Sequence, residues 1–345
     1  TRLYSYAWIV YGFLYIPIQL KTVASIIQIV LPGMNMMAAM LIGVTVAVLY
    51  TSFSGMKGAS AVGRVVCIGI YILLIIFTVT TLSGFGGLGG LFEQLPENYN
   101  SMGNMPTQRI IAWILGGCIS TAVMQAVLQP LLAAKSPQAA RTGSILGYLI
   151  AAPICFFTAI CGMLSKASGA DLGDGSTAFA YAIKTFSSPV FAGIIFAFAT
   201  MIIAATMATM MLATGTIITN IYKTEIDRNA GDQKVLKISK SVTFIFAYLT
   251  LIPAFLIPSQ SLTNLFLTLQ HVAAAPVSFS ILAGLMWKRC TKQGAFWSML
   301  TGMIVGISWM LLGLTDKMEA VYPVVVVTYS VGIIVSLMTS KKEIV

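Results

Sequence analysis

Long runs of apolar residues alternate with short stretches that hold all ten acidic residues, and no acidic residue falls inside a run. Ten runs are legible, at roughly 4–31, 36–50, 65–82, 110–132, 142–164, 189–221, 242–257, 262–287, 295–314 and 321–338. They are continuous rather than alternating, which argues against transmembrane β-strands. A helix of about 20 residues crosses the ~30 Å hydrocarbon core of a bilayer. In lipid the backbone must satisfy its own polar groups within the segment, so each run predicts a helix. The pattern describes an all-α polytopic membrane helix bundle of about ten transmembrane helices, one transmembrane domain over 1–345. The run 189–221 exceeds one span, so it is expected to tilt strongly or to start in the interface.

Composition strengthens this picture. Hydrophobic residues make up 58% of the chain and charged residues 9%, with a mean hydropathy of +0.91. A soluble surface normally needs about 25% charged residues. With Arg2 on the cytoplasmic side and ten crossings, fifteen of the 20 basic residues fall on that side. Arg109, Lys166, Lys184 and Lys317 fall on the other, and Lys21 lies within the first run. The excess of cytoplasmic Lys and Arg sets both termini inside a cell membrane, inner or plasma. That bias accounts for the net charge of +10. With no nucleic-acid fold motif, the expected partner is the bilayer rather than nucleic acid. The five cysteines form no CxxC and read as packing residues, with no metal site. The chain opens on Thr1, without a signal peptide, which reads as a truncated start.

Residues 84–89 match GxGxxG, but a membrane helix precedes them in place of a strand, so the dinucleotide fingerprint is rejected. A flexible outer loop over 83–108 is expected instead. Small residues at Gly116-Gly117, Ala204-Ala205 and Ala273 to Ala275 predict close helix packing. Polar residues inside the runs carry more information. Gln125 and Gln129 share one helix face beside Pro130, where a freed carbonyl suits a cavity wall. Gln270 and His271, the single histidine, sit in mid-run ahead of Pro276. The histidine reads either as a hydrogen-bonding neighbour or as a proton switch. Thr200, Thr206, Thr209, Thr214, Thr216 and Thr219 are expected to bond back to the preceding turn. Some of them also qualify as oxygen ligands for a hard cation. Lys21 either snorkels or faces a polar cavity. No run offers it a carboxylate, which also weakens a relay of acidic residues.

Four segments together resemble the sodium:solute symporter family. Residues 125–136 with 139–141 (QAVLQPLLAAKS…AAR) resemble its Q-x-x-x-Q-R-x-x-A-A-K-S signature. Residues 204–223 (AATMATMMLATGTIITNIYK) resemble the helix that ends in a D-I-Y-K-like tail. Residues 276–295 (PVSFSILAGLMWKRCTKQGA) resemble the P…G-x-x-W-K-R-x-x-x-x-G-A segment. Residues 50–57 (YTSFSGMK) resemble the Y-T-x-x-G-G-L-K turn. The four occur in order, each at a boundary that charge places in the cytoplasm, and they span most of the chain.

The resemblance implies a leucine-transporter-type core of inverted repeats plus two trailing helices, with alternating access around a midplane site. The leader helix and first two core helices are then absent from this chain. It also implies secondary transport of a small polar organic solute, with Gln125, Gln129, Gln270 and His271 lining the pathway. Sodium is the implied coupling ion, and no other cofactor is expected. Thr206 and Thr209 are the ion-site candidates, beside Ala204 and Ala205, which stand where the family usually has a hydroxyl pair. A methyl group offers no oxygen to a hard cation. The usual T-D pair is Val62-Gly63 followed by Arg64, and the Arg of the first signature is Pro130. These departures set a sodium-independent exchanger or facilitator, with Arg64 or Lys21 as a fixed positive charge, beside a sodium symporter. A non-transporting sensor module or remnant is a third reading. The chain carries no HExxH, nucleophile elbow or carboxylate pair near a membrane face, so it does not read as an enzyme.

Overall fold

In a computed structural model of the chain, all ten apolar runs are built from helix, and no strand occurs among the described residues. The structure describes residues 2–100, 103, 105–172, 175, 177–257 and 262–340, with the side chains of 52–62, 100 and 316 outside the described set. The helices are α1 (Arg2–Val30), α2 (Met36–Gly84), α3 (Gly87–Glu93), α4 (Thr107–Val123), α5 (Gln125–Leu132), α6 (Pro137–Ala151), α7 (Ile154–Ala167) and α8 (Ala178–Phe186). They continue with α9 (Pro189–Ile221), α10 (Asp232–Leu249), α11 (Leu251–Leu256), α12 (Leu262–Leu269), α13 (Ser278–Met286), α14 (Lys292–Leu311) and α15 (Val321–Thr339). Among the described residues, eight stretches are long and apolar enough to cross a bilayer. The pair α4 and α5, bent by 43°, makes a ninth. The tenth run, Met36–Thr51, is a shorter apolar helix. This is a multi-pass membrane protein.

Lipid exposure explains surface residues that water would not tolerate. On α2, Val65, Ile68, Ile72, Ile76 and Val79 all point outward, at helical spacing. The buried face of the same arm carries Ile70, Leu74 and Phe77 into a cluster with Ile160, Leu164 and Ile195.

Two expectations change here. A turn was expected over 50–57, yet α2 is a single helical element of 49 residues. At 1.5 Å per residue that is over twice the length of one crossing. It therefore carries two apolar arms. The turn motif itself, with Lys57 and Val62, falls outside the described side chains, and Lys341 and Lys342 fall outside the described residues. The second arm runs antiparallel to α9. Val66 and Cys67 share a cavity with Ile202 to Met210, Gly69 abuts the Phe198 ring, and Phe85 meets Phe186. Secondly, the stretch 83–108 is not simply a flexible loop. Gly86 and Gly87 take φ of 76° and 87°, which reverses the chain after α2 without Cβ strain. The short α3 that follows buries Leu91 completely.

The centre of the bundle is α1 against α9. Tyr11, Ile16, Leu20 and Val23 pack with Met207 and Met211. At Gly12, the oxygen of Thr214 lies 2.5 Å from where a Cβ would stand, so the two helices touch backbone to side chain. On α9 the expected back-bonding is seen at four of the six threonines. Thr206, Thr209, Thr216 and Thr219 donate to the carbonyls of Ile202, Ala205, Leu212 and Gly215 at 2.7 to 3.0 Å.

The two ends of the bundle differ in charge. At one end Arg2 pairs with Glu225 at 2.7 Å and Lys234 with Asp227 at 2.8 Å. The hydrogen bond from Lys234 holds the Asp227 carboxyl below the usual carboxylate range. Its stabilising contribution is present above the unfolded carboxyl value and fades as pH falls through the lowered one. Asp227→Asn should therefore flatten the acid limb of melting temperature against pH and leave the neutral region almost unchanged, since the pair is exposed. A thermal-denaturation series in detergent checks this.

Candidate functional site

Two membrane helices lose regularity in mid-bundle, and they meet there. The first is α4–α5. Met124 takes an extended ψ of 128° and ends α4. The N–H groups of Val127 and Leu128 both turn to its carbonyl at 2.9 Å. The donors at the start of α5 and the last carbonyls of α4 are left without i−4 partners. Pro130 removes a further donor, which frees the carbonyl four residues earlier. The second is α12–α13, joined by a π-turn over Gln270–Ala274 and a 3-10 turn over Ala275–Val277 that contains Pro276. Single π-turns inside helices concentrate at functional positions.

Ser120 on α4 donates to the Gln270 carbonyl at 3.2 Å, and Gly116 on α4 lies flat against the His271 imidazole. Glycine is required at this contact, because a Cβ would fall on the ring.

The four solute-pathway candidates separate into two pairs. Gln270 and His271 are buried, at 6% and 1% exposure, against α4. Gln125 instead lies on a cavity of about 550 Å³ at the Arg2 end, with Tyr4, Thr216, Asn220, Lys223 and Asp232. The Tyr4 hydroxyl donates to Gln125 Oε1 at 2.8 Å. Gln129 reaches the Thr216 hydroxyl from its Nε2 at 3.4 Å. Deeper in the bundle, a cavity of about 370 Å³ is bounded by Tyr15, Met124, Val127, Ala205, Thr206 and Thr209 among others. The ion-site candidates Ala205, Thr206 and Thr209 therefore face one space beside the helix break. Ala204 points away from it into the core.

Neither candidate fixed charge lines either cavity, although Gly63 and Val66, on both sides of Arg64, border the smaller one. Lys21 is 5% exposed and donates to the Ile257 carbonyl, which follows α11. It therefore does not snorkel to solvent. Arg64 is exposed on the second arm of α2.

At the opposite end, a cluster forms that the apolar pattern could not announce. Glu319, in the connection between α14 and α15, sits 3.3 Å from Arg109 Nε and 3.8 Å from His271 Nδ1. Arg109 donates to Asn264 at 3.2 Å and stacks 5.3 Å over Trp113. Tyr322 donates to the Gln108 carbonyl at 2.5 Å. Gln108, Arg109, Trp113, Asn264 and Glu319 border a cavity of about 330 Å³, and His271 lies behind Glu319. Burial raises the Glu319 carboxyl, and Arg109 pulls against that rise. No apolar run carries a carboxylate, yet an acid outside the runs folds back onto one of the buried polar residues. Of the cavity residues that the pattern missed, Asn220 carried a legible signal, as a polar group inside an apolar run. Tyr4 and Glu319 carried none. Among the described residues, no group of His, Cys, Asp and Glu is arranged to hold a metal ion.

Comparison with known proteins gives a consistent result. The family model described as "Sodium:solute symporter family" matches residues 2–302. The chain is 24% identical to the high-affinity proline transporter PutP of Bacillus subtilis, over 84% of this chain and 63% of that protein. It is 23% identical to sodium/glucose cotransporter 4 of Mus musculus, over 88% and 51% respectively. It is 23% identical to the sodium/pantothenate symporter of Escherichia coli, over 77% and 56%. The chain thus spans between about half and two thirds of the length of these relatives.

Proposed function

Since the chain belongs to the sodium:solute symporter family, we propose that it carries a small polar organic solute across the membrane as a secondary transporter. One observation carries this reading: the α4–α5 break sets the polar Gln125 at the end of the 550 Å³ cavity, with the smaller cavity beside Met124 immediately behind it. Broken membrane helices that line cavities are where transporters hold their solutes, because only there is irregular backbone tolerated at membrane depth. Gln125, Gln129, Tyr4 and Asn220 supply hydrogen-bonding groups to a polar solute. The positive-inside bias makes the Arg2 end cytoplasmic, so this cavity opens inward and the Arg109–Glu319 end is outer.

The coupling ion is a separate matter. Sodium stands in the family's name and in the names of two of the three relatives above. At the corresponding depth here, Ala205 presents a methyl group, and the hydroxyls of Thr206 and Thr209 spend their protons on their own helix. Two hydroxyl oxygens, with the carbonyls freed at the α4–α5 break beside them, are a smaller set than the side-chain oxygens a hard cation usually gathers. Transport independent of sodium fits these side chains better.

The test is uptake of labelled proline, glucose and pantothenate into proteoliposomes with a sodium gradient, a proton gradient or neither. Accumulation of one solute, indifferent to sodium, is the expected result. Strict sodium dependence would sink the sodium-independent part. Failure to move or bind any of a wider set of polar solutes, where a relative prepared identically succeeds, would favour a non-transporting membrane module.

A further inference from the structure

We propose that His271 and Glu319 form a proton-binding site, reached from the outer cavity through Glu319, whose protonation drives α4 away from the Gln270–Ala274 turn. The inference rests on the transport reading above only for its role, in which the proton replaces sodium as the coupling ion. The site itself follows from geometry.

His271 Nδ1 faces Glu319 Oε2 at 3.8 Å, and Nε2 is buried against Gly116 with no hydrogen-bond partner among the described residues. A neutral imidazole carries one N–H and one acceptor nitrogen, so it fits this pocket with its hydrogen toward the carboxylate and its lone pair toward α4. One proton from the outer water gives an imidazolium. Nothing else is made or broken, and the charge of the site rises by one. Both ring nitrogens are then donors, and one of them points into Gly116, which has no side chain to accept it. A buried donor without a partner is relieved only by water or by separation. Separation of α4 from the Gln270–Ala274 turn opens the outer cavity at the contact that holds the two irregular helices together.

The surroundings suit such a site. From α4 come Arg109, which competes for the carboxylate, and the neutral Gln108, Trp113 and Ser120. From α12 come Asn264 and Thr268. The α14–α15 connection supplies Thr315, Lys317 and Glu319, and α15 supplies Tyr322. Glu319 is the only carboxylate of this cavity among the described residues. Burial raises its carboxyl and Arg109 opposes the rise.

His271 is the single histidine of the chain, so 13C-histidine labelling reports it alone. The experiment is an NMR titration of the full chain in nanodiscs from about pH 8 to about pH 3, a range that brackets ordinary imidazole and carboxyl values, in sodium or choline chloride. A titration of His271 that is the same in both salts is expected. Glu319→Gln should weaken proton binding at least tenfold and Arg109→Gln should strengthen it. General loosening of the fold would move both variants the same way, so opposite shifts identify the electrostatic site. A His271 signal that does not titrate, or that ignores Glu319→Gln, overturns the proposal. Proton-gradient-driven uptake in proteoliposomes then tests the role. A titrating His271 without any uptake keeps the site and ends the transport reading, whereas uptake indifferent to the proton gradient ends the coupling role.

Discussion

Adding a single methyl group at Gly116 should destabilise the folded protein by about 2 kcal/mol, in the middle of the ~1–3 kcal/mol range for overpacking a filled core. The ideal Cβ there lands on the His271 imidazole and has no second direction in which to go. Relief requires α4 and α12 to part, and that stretches the bond from Ser120 to the Gln270 carbonyl. Gly117→Ala is the matched control, because nothing lies within 4 Å of its Cβ. Alanine there should be neutral or should add about 0.5–1 kcal/mol through helix propensity. In the double variant Gly116→Ala, His271→Ala the methyl group meets open space, so the combined loss should fall well short of the sum of the single losses. Reversible denaturation in mixed micelles measures all four proteins. An additive pair would show that the contact between the two helices does not exist as described.

Gln125→Leu should reduce solute uptake about 100-fold, the equivalent of roughly 2.8 kcal/mol. The substitution keeps helix propensity and most of the side-chain bulk, but it removes both amide functions at the first residue after the break. It also leaves the Tyr4 hydroxyl without its acceptor. A site built to hydrogen-bond a polar solute discriminates strongly when one of its own polar groups loses its partner. Tyr4→Phe removes one hydrogen bond and should reduce uptake about tenfold. Gln129→Leu should do less, since its bond to Thr216 is long at 3.4 Å and exposed. Uptake normalised to folded protein separates these effects from misfolding. Transport by Gln125→Leu within about twofold of the parent chain would place the pathway elsewhere than along α5.

The ion-site candidates illustrate what is lost between pattern and fold. Ala204 and Ala205 are adjacent in sequence and read as one feature. On a helix, neighbours point about 100° apart, so Ala204 packs in the core while Ala205 faces the cavity with Thr206 and Thr209. Gln125, Gln129, Gln270 and His271 read as one pathway because each is a polar residue in an apolar run. That rule identifies residues that need a partner and says nothing of which partner they find. Gln125 finds a cavity, Gln129 finds Thr216, and Gln270 and His271 lie against α4.

The sequence by itself determined that this chain is an all-helical, multi-pass membrane protein, where most of its spans lie, and which family it resembles. It did so because the bilayer imposes a one-dimensional constraint, in which length, apolarity and charge at the ends can be read residue by residue. It also marked the helix break through Gln125, Gln129 and Pro130. Only the tertiary structure decided that Met124 is the point of the break, that Tyr4 closes on Gln125, and that Glu319 folds over Arg109 to reach His271. These pairings join residues far apart in the chain, and Glu319 approaches His271 from a connection that carries no periodic signal. Which distant groups share a pocket depends on how helices pack against one another, and hydropathy along a single helix carries no record of that.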